Sequence, residues 1–346
     1  LGFVNVNAQF SNSTVSGNSA TDDGGGAAFG IGSLITFDGS TIDNNSSQDF
    51  GGGIHVLGAG LTILNSTLSG NSATSSGGAI NNEQGSVQIG QSTFHSNTAT
   101  VSGGAIDNFD GTVVLSQTTV SGNTAGSNGG GIVNFAAATL QIVNSTITGN
   151  AAGELGGGLW SSGVAQSGNS IIAGNTSSTG SPDISGAVAS LGTNLIGIGD
   201  GSSGLVNGIA GNLVGTTASP IDAGLSPLQD NGGDTLTHLP LFGSAAIDSG
   251  TLSPGTTVDQ RGHTRFGAGD LGLAARSDIG AVEFIGLSLS PGQAGAVDLT
   301  ASREEDTILL ADFASGTVLF RIPLDEIDQI QFNGSSLNDS VTVNLA

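Results

Sequence analysis

A short polar segment recurs along the first half of the chain at an almost constant interval. Each copy reads Ser or Thr, Thr, an apolar residue, two further residues and Asn, and that Asn serves as a marker. Successive markers lie 25 to 27 residues apart. A fixed period of this size is typical of solenoids, propellers and other repeat arrays. The markers are Asn18, Asn45, Asn71, Asn97, Asn123 and Asn150, with a weaker copy at Asn175.

The apolar residues inside each repeat have the spacing of β-strands. Two of them lie ten and eight residues before the marker, as on one face of a strand, and a third lies at an odd step, three residues before it. A corner near residues 65–66 and their equivalents therefore separates two strands. The triplets are Ile35, Phe37, Ile42; Leu61, Ile63, Leu68; Val87, Ile89, Phe94; Val113, Leu115, Val120; and Leu140, Ile142, Ile147.

Paired glycines predict a second corner. They lie six and seven residues after each marker, as at Gly77 and Gly78, and an apolar residue such as Ile80 follows. Glycine permits positive φ or close backbone approach there, and a third strand begins after it. Propeller blades need about 40 residues, which exceeds this period. We predict an all-β, right-handed parallel β-helix with three short strands per coil of about 26 residues, and a small C-terminal β domain.

Stacked coils place equivalent side chains in columns about 4.8 Å apart. The six strong marker asparagines are therefore predicted to form a structural ladder, in which side-chain amides bond to the coils above and below. A second ladder is predicted for Asn82, Asn108 and Asn134.

Composition argues against several classes of partner. The formal net charge is −23, and residues 1–186 contain neither Lys nor Arg. This charge disfavours binding to nucleic acid and to anionic membrane surfaces, because both kinds of binding require basic residues on the protein. No apolar run of 18 residues is present, so we expect no membrane insertion. Without Cys, the chain has neither disulfides nor Cys-based metal sites.

Charge and pattern divide the chain into three predicted parts. Residues 1–186 form the repeat coils, 187–286 continue and end the β-helix, and 287–346 form a small acidic β domain or terminal strands. The first residue is Leu, so we expect the chain to be a processed or excised piece of a longer precursor.

Several motifs resemble known families. The stretches 77-GGAI-80, 103-GGAI-106 and 94-FHSN-97 resemble the repeats of bacterial polymorphic outer membrane proteins. The stretches 230-DNGGDTLTHLPLFGSAAIDSG-250, 259-DQRGHTR-265 and 278-DIGAVEF-284 resemble the choice-of-anchor Q domain of bacterial surface proteins. The second resemblance covers roughly residues 190–285. It implies a right-handed β-helix in an extracellular or cell-surface location, without an enzymatic activity to carry over.

Candidate binding residues lie at the corner of variable length. Carboxylates about 5–10 Å apart can hydrolyse a glycosidic bond, and aromatic rings can stack on a sugar. The alternative is that these are loop-tip acids and aromatics that cover the corner; we favour it because solenoid loops accumulate polar variation. The acids are Glu83, Asp107 and Asp110, with His55 nearby, and the aromatics are Phe109, Phe135 and Trp160.

No catalytic residue is predicted. Asp259, Arg261, His263 and Arg265 resemble a catalytic cluster, but we expect Asp259 to pair with an Arg and pin a loop over the end of the helix. His238 is expected to be structural. A polysaccharide lyase is disfavoured because residues 1–186 offer no basic residue. We expect no cofactor. The net charge leaves Ca²⁺ binding as an open alternative, although no loop matches the calcium-binding pattern D-x-D-x-D-G.

Three functions follow in order of preference. The first is an extracellular structural or adhesive protein that assembles head to tail into filaments through open helix ends and C-terminal strands, because exposed strand edges pair with other chains. The second is a carbohydrate-binding or polysaccharide-degrading module that contacts cell-surface glycans. The third is an ice- or surface-binding module, which needs a flat threonine face built from Thr41, Thr67, Thr93, Thr119 and Thr146.

Overall fold

The structure is a computed structural model. It describes residues 2–241, 243–251, 256–265 and 277–284, and the backbone of six strands between Gly286 and Asn344. The described residues form an all-β parallel solenoid of about seven turns, with about 26 residues per turn. Each coil visits four parallel sheets in turn, which we name A, B, C and D. One short 3₁₀ helix, Ile209–Gly211, lies near the end of the solenoid.

Sheets A and B carry the longer strands of each coil. Sheet A consists of Gly2–Phe3, Ala27–Phe29, Ile54–Leu57, Ile80–Glu83, Ile106–Phe109, Ile132–Asn134, Leu159–Ser161, Ile184–Ala187 and Ser202–Ser203. Sheet B consists of Asn7–Ser11, Leu34–Asp38, Gly60–Leu64, Ser86–Gly90, Thr112–Ser116, Thr139–Val143, Val164–Gly168 and Ala189–Ser190.

Sheets C and D flank the marker asparagines. Sheet C, before the marker, consists of Thr14–Ser16, Thr41–Asp43, Thr67–Ser69, Thr93–His95, Thr119–Ser121, Thr146–Thr148, Ser170–Ile172, Asn194–Ile196 and Leu213–Val214. Sheet D, after it, consists of Ser19–Ala20, Ser46–Ser47, Ser72–Ala73, Thr98–Ala99, Thr124–Ala125, Ala151–Ala152 and Thr176–Ser177.

The prediction of three strands per coil was wrong, because sheet D adds a fourth. Its strands contain only two residues each, and those residues are Ser, Thr or Ala. Ala73, for example, is buried in the strand Ser72–Ala73 but adds no large apolar side chain to the pattern. A strand this short and this small has no alternation from which it could be predicted.

The predicted apolar triplets form the core. Every member is at most 3% exposed, and the residues after the glycine corner, such as Ile80 and Ile106, are fully buried. Equivalent residues of successive coils are paired in register, as Leu61 with Val87 in sheet B. The solenoid interior is therefore a set of stacked aliphatic and phenylalanine columns.

The glycine corners have the predicted geometry. Gly77 has a φ of 74°, in the left-handed region that favours glycine. A Cβ atom on the next residue, Gly78, would overlap the carbonyl oxygen of Gly104 in the following coil. The first glycine thus supplies the turn and the second permits close stacking of coils. The predicted corner between sheets B and C also has positive φ, 48° at Asn65.

The marker asparagines form a buried amide ladder, which Asn97 illustrates. Its side-chain nitrogen donates to Oδ1 of Asn123 and to the carbonyl of Leu68, both at 2.9 Å. Its own Oδ1 accepts the backbone and side-chain N–H groups of Asn71, both at 3.0 Å. The same pattern links the markers from Asn18 to Asn175. Each amide is satisfied only when the neighbouring coil supplies another one.

Asp183 ends this ladder. Its Oδ1 accepts both N–H groups of Asn175 at 2.9 Å, and its Oδ2 accepts the backbone N–H of Ile198 at 2.7 Å. Because every amide donates towards the next coil, the last position needs an acceptor, and a carboxylate provides one. Burial raises the pKa of Asp183, against these hydrogen bonds, which lower it.

The second predicted ladder is shorter and is formed by core-facing side chains near the ends of three strands of sheet A. Asn82 donates to Asn108, and Asn108 donates to Asn134, at 2.8 Å each. Asn134 then donates to the hydroxyl of Ser161 at 3.2 Å. All three asparagines are fully buried, so this ladder supports the corner between sheets A and B from inside.

After Val214 the described chain adds no strand to the four sheets. The residues 216–241, 243–251, 256–265 and 277–283, which we call the return segment, include contacts with the outside of sheet C. Gln260 bonds to Thr93 at 2.9 Å and to Thr119 at 2.7 Å. Residues 187–286 are predicted to continue and end the β-helix. In the structure, the part of this range after Val214 includes residues that cover one side of the solenoid.

A second compact unit comprises residues 266–275 and 284–346. Within it, Gly286–Leu289 pairs with Gln329–Phe332 in a parallel two-stranded sheet. The four strands Leu299–Glu304, Thr307–Asp312, Val318–Pro323 and Val341–Asn344 form another sheet. The predicted domain boundaries at 186 and 286 stay predictions.

Replacing one amide of the marker ladder should destabilise the solenoid. Asn97→Ala leaves buried groups of Asn71 and Asn123 without partners, which we expect to lower the free energy of unfolding by about 2–4 kcal/mol. Urea unfolding followed by circular dichroism measures the loss. Gln88→Ala, an exposed amide on sheet B, is the matched control, with an expected change below about 0.5 kcal/mol. Equal losses in both variants would contradict the ladder's role.

Candidate functional site

The predicted binding residues meet on the outer face of sheet A. In the strand Ile106–Phe109, Ile106 and Asn108 face the core, so Asp107 and Phe109 face outward by alternation. The Cα partner of Phe109 in the preceding coil is Glu83. Stacking therefore converts residues about 26 positions apart in the sequence into neighbours on one surface.

Three aromatic rings form a continuous row across three coils. The ring centroids of Phe109 and Phe135 are 5.6 Å apart, and those of Phe135 and Trp160 are also 5.6 Å apart. The interplanar angles are 67° and 63°, so both pairs are edge to face. Phe109 is 44% exposed, and the other two rings are partly buried. We call these three residues the aromatic row.

The predicted acids do not share one environment. Glu83 is partly exposed, and Asp110 is exposed at a corner residue with a φ of 58°. Asp107 is only 2% exposed and therefore cannot contact a ligand directly. Glu83 and Asp110 thus remain accessible beside the aromatic row, whereas Asp107 lies beneath the surface.

Burial controls the charge of Asp107. Removal from water raises the pKa of this carboxyl to about 7, and a hydrogen bond with Ser76 acts in the opposite direction. Ser76 belongs to the preceding coil, five residues after its marker. This hydrogen-bond partner could not be predicted, because a serine in a polar loop carries no signal of burial.

His55 occupies the same column as Asp107 but serves a different neighbourhood. The two are separated by Asn81, the Cα partner of both. The ring nitrogen Nε2 of His55 lies 3.8 Å from Oδ2 of Asp23, in the coil before it. His55 is therefore close to the coil of Glu83, as expected, but faces Asp23.

The cluster around Asp259 is a buried network. Asp259 accepts from Nε of Arg261 at 3.0 Å, and Arg265 donates to Glu283 at 3.1 Å. Burial and the neighbouring Asp278 raise the pKa of Glu283, against the opposite effect of Arg265. The predicted Asp–Arg pair is present. The expected position over the end of the helix was wrong, because the adjacent Gln260 binds the side of sheet C.

The return segment covers part of the threonine column. Thr93, Thr119 and Thr146 are buried, and each hydroxyl is engaged by this segment. An ice-binding face would need these hydroxyls free and exposed, so the structure removes them from the predicted threonine face. Their partners are the carbonyl of Leu236, Oε1 of Gln260 and the backbone N–H of Ala281.

Ser121 and His238 have the spacing of a nucleophile and its base, with 2.8 Å between Oγ and Nε2. His238 Nδ1 donates to the carbonyl of Ser226 at 2.6 Å, which leaves Nε2 as the acceptor. Desolvation lowers the pKa of His238 and favours this neutral form. Both side chains are buried, so the pair joins the return segment to sheet C, in agreement with the structural role predicted for His238.

A cavity of about 400 Å³ lies between the end of the solenoid and the return segment. Its lining includes Asp183 and His238, whose polar atoms are already hydrogen-bonded within the protein. The rest of the described lining is largely apolar or small. The cavity thus offers a ligand few unpaired polar groups, and none of the predicted binding residues lines it.

The repeat geometry agrees with one comparison to known families. The model of the Chlamydia polymorphic membrane protein (Chlamydia_PMP) repeat matches residues 65–83 and 91–108. The coils are similar to polymorphic membrane protein repeats. This similarity suggests a surface, adhesin-like protein. No curated protein and no solved structure matches the chain.

Among the described residues, no helix has the length and apolar character required to cross a membrane. The resemblance to choice-of-anchor Q domains stays a prediction.

The stability difference between Asp107→Asn and the wild type should depend on pH. The pKa of Asp107 is raised from 3.8 to about 7 by folding, so its stabilising contribution is present below 3.8 and is lost as the pH rises towards 7. The neutral amide avoids this loss. Relative to the wild type, the variant should gain up to about 1.4 kcal/mol per pH unit across that interval, as measured by urea unfolding. Parallel pH profiles of the two proteins would contradict the shift.

Proposed function

We propose that this chain is the binding region of a bacterial cell-surface adhesin, and that it holds a glycan on the outer face of sheet A. The aromatic row carries this proposal, because it sets three ring systems in line on successive coils. The amide ladders beneath it fix the spacing between coils, so the rings are pre-positioned.

The side chains around the row suit a sugar. The C–H face of a pyranose stacks on an aromatic ring, while its hydroxyl groups need hydrogen-bond acceptors and donors at the rim. Glu83 and Asp110 offer acceptors next to Phe109, and both are accessible. Because coils repeat at about 4.8 Å, a row of three rings can contact more than one sugar of a chain.

The charge of the protein indicates which class of glycan it can bind. Residues 1–260 contain neither Lys nor Arg, and the formal net charge of the chain is −23. An acidic polysaccharide would be repelled by this surface and would find no cation to bind. The favoured ligand is therefore a neutral glycan or one that carries amino groups.

Binding without turnover fits the acids better than hydrolysis. Glycosidases place two carboxyl groups on either side of the scissile bond. Of the two predicted acids on the strands of sheet A, Glu83 is accessible and Asp107 is covered. With Asp107 covered, Glu83 and Asp110 are the accessible members of the predicted acids, and we propose that they bind the glycan without cleaving it.

End-to-end assembly is a separate proposal. The strand Asn7–Ser11 pairs with Leu34–Asp38 in sheet B, and a parallel sheet of this kind can be extended by a strand from another copy. Head-to-tail contacts of this kind produce open filaments. Electron micrographs of the purified chain that contain only separate particles at high concentration would remove this proposal.

A glycan array tests the binding proposal. The wild type should bind neutral or amino-sugar glycans in preference to acidic ones. Phe109→Ala and Trp160→Ala should each lower the affinity at least about tenfold, since aromatic hot spots contribute about 2 kcal/mol or more and about 1.4 kcal/mol corresponds to a tenfold change. Val101→Ala is the matched control, because Val101 and Phe109 have the same exposure, 44%, and Val101 lies in a loop outside the strand that carries Phe109.

Two results would contradict the proposal. One is an array on which the wild type binds no glycan. The other is a bound glycan whose affinity is the same for the wild type and for both aromatic variants. A preference for acidic glycans would leave the adhesive role but overturn the charge argument.

A further inference from the structure

The accessible acids of sheet A lie at one end of the aromatic row. Glu83 is the Cα partner of Phe109, and Asp110 is the residue after Phe109 along the chain. Trp160, at the other end of the row, has the uncharged Cα partners Val133 and Ser185 in the coils on either side. The row therefore has an acidic end at Phe109, whereas the strand neighbours of Trp160 are uncharged.

The two carboxylates at this end are left for groups outside the repeat coils. No described residue donates a hydrogen bond to the side chain of Glu83 or Asp110, or forms an ion pair with it. Residues 1–260 contain neither Lys nor Arg, so the coils hold no permanently charged cation. A positive charge that pairs with these carboxylates has to come from a bound ligand.

The ring of Phe109 adds a second attraction for a cation at the same place. This ring is 44% exposed, and it contacts Phe135 edge to face. A cation within about 6 Å of the centre of an aromatic face is attracted by the electron density of the ring. Paired residues of adjacent strands point to the same side of a sheet, so a positive charge at the carboxylate of Glu83 also lies beside the ring of Phe109.

The spacing of the rings suits an extended sugar chain. Both centroid separations in the row are 5.6 Å, which is about the length of one pyranose residue in such a chain. A chain that follows the row therefore meets a new ring with each sugar, and the sugar on Phe109 lies beside Glu83. A substituent of that sugar can reach the carboxylates while the faces of the sugars stay on the rings.

We infer that this site binds a glycan with free amino groups, such as an oligomer of glucosamine, whose ammonium group pairs with Glu83 and Asp110. The inference rests on the glycan site proposed above and narrows its ligand to the amino-bearing class. A hydrogen bond between an ammonium group and a carboxylate is roughly twice as strong as one between neutral groups. An acetamido or hydroxyl group at the same position of the sugar carries no charge and lacks this advantage.

The aromatic rings and the acids have separate roles in this account. The three rings contact the apolar face of a pyranose, so they contribute affinity without distinguishing an amine from its acetylated form. The two carboxylates make that distinction, because they gain an ion pair with the amine alone. Selectivity is a difference between two affinities, so removal of the acids should abolish the preference for the amine and leave binding to the rings.

Isothermal titration calorimetry of the full chain with two matched ligands tests the inference. One ligand is a short oligomer of glucosamine, and the other is the fully N-acetylated oligomer of the same length. The titration is carried out at physiological ionic strength, where attraction between distant charges is screened. The wild type should bind the amino oligomer at least about tenfold more tightly than the acetylated one. Phe109→Ala should weaken the binding of both.

Conservative variants of the acids separate charge from shape. Glu83→Gln and Asp110→Asn should each reduce the preference for the amino oligomer, and the double variant should bind both oligomers equally. The affinity for the acetylated oligomer should stay that of the wild type. Asp234→Asn is the matched control, because it removes one exposed charge from the return segment, next to Thr235, whose hydroxyl bonds to the carbonyl of Gln91. It should leave both affinities unchanged.

Three results would overturn the inference. The first is a wild type that binds the acetylated oligomer as tightly as the amino oligomer, with both weakened by Phe109→Ala; the proposed glycan site would then stand without selection by charge. The second is a preference that Asp234→Asn reduces as much as Glu83→Gln does, which would indicate general attraction of a cation to an acidic protein. The third is binding of neither oligomer, after which the glycan array decides whether the proposed function also fails.

Discussion

The buried ladder of asparagine amides is the constraint on which the rest of the solenoid depends. An amide inside an apolar core is costly unless its donors and acceptor are all paired. Asn97 meets this condition only because Asn71 and Asn123 lie one coil away on either side. The repeat length can therefore vary by a residue only where a loop absorbs the change. In-register stacking then aligns the aliphatic columns and the glycine corners, and no other interaction is needed to set their register.

The elements that could be predicted are those in which each coil repeats its neighbour. The inward triplets, the two ladders and the glycine corners all depend on equivalent residues of successive coils stacking on one another. They can therefore be predicted from the period of the sequence. The fourth strand escaped because Ser72–Ala73 and its equivalents are too short to alternate. The path of the return segment could not be predicted, because it depends on individual contacts that do not repeat along the sequence. The hydrogen bond between Gln260 and Thr93 is an example.

The candidate sites show the same division. Stacking predicts that Phe109, Phe135 and Trp160 share a face, and the structure brings their rings together. It does not predict that Asp107 is buried and hydrogen-bonded to Ser76, since that contact depends on the path of a loop in the preceding coil. Sites formed between coils are visible only once the register is known.

Hydrogen exchange of the intact chain, followed by mass spectrometry at peptide resolution, is the most direct test of the ladder as the organising interaction. The backbone N–H groups of Asn71, Asn97 and Asn123 each donate to the side chain of the next marker. We expect peptides that contain them to be among the slowest to exchange, opening only when the solenoid unfolds globally. Exchange at the rate of the exposed loop residues Ala136 and Ala137 would show that the ladder opens locally. The amides would then follow the coil register without setting it.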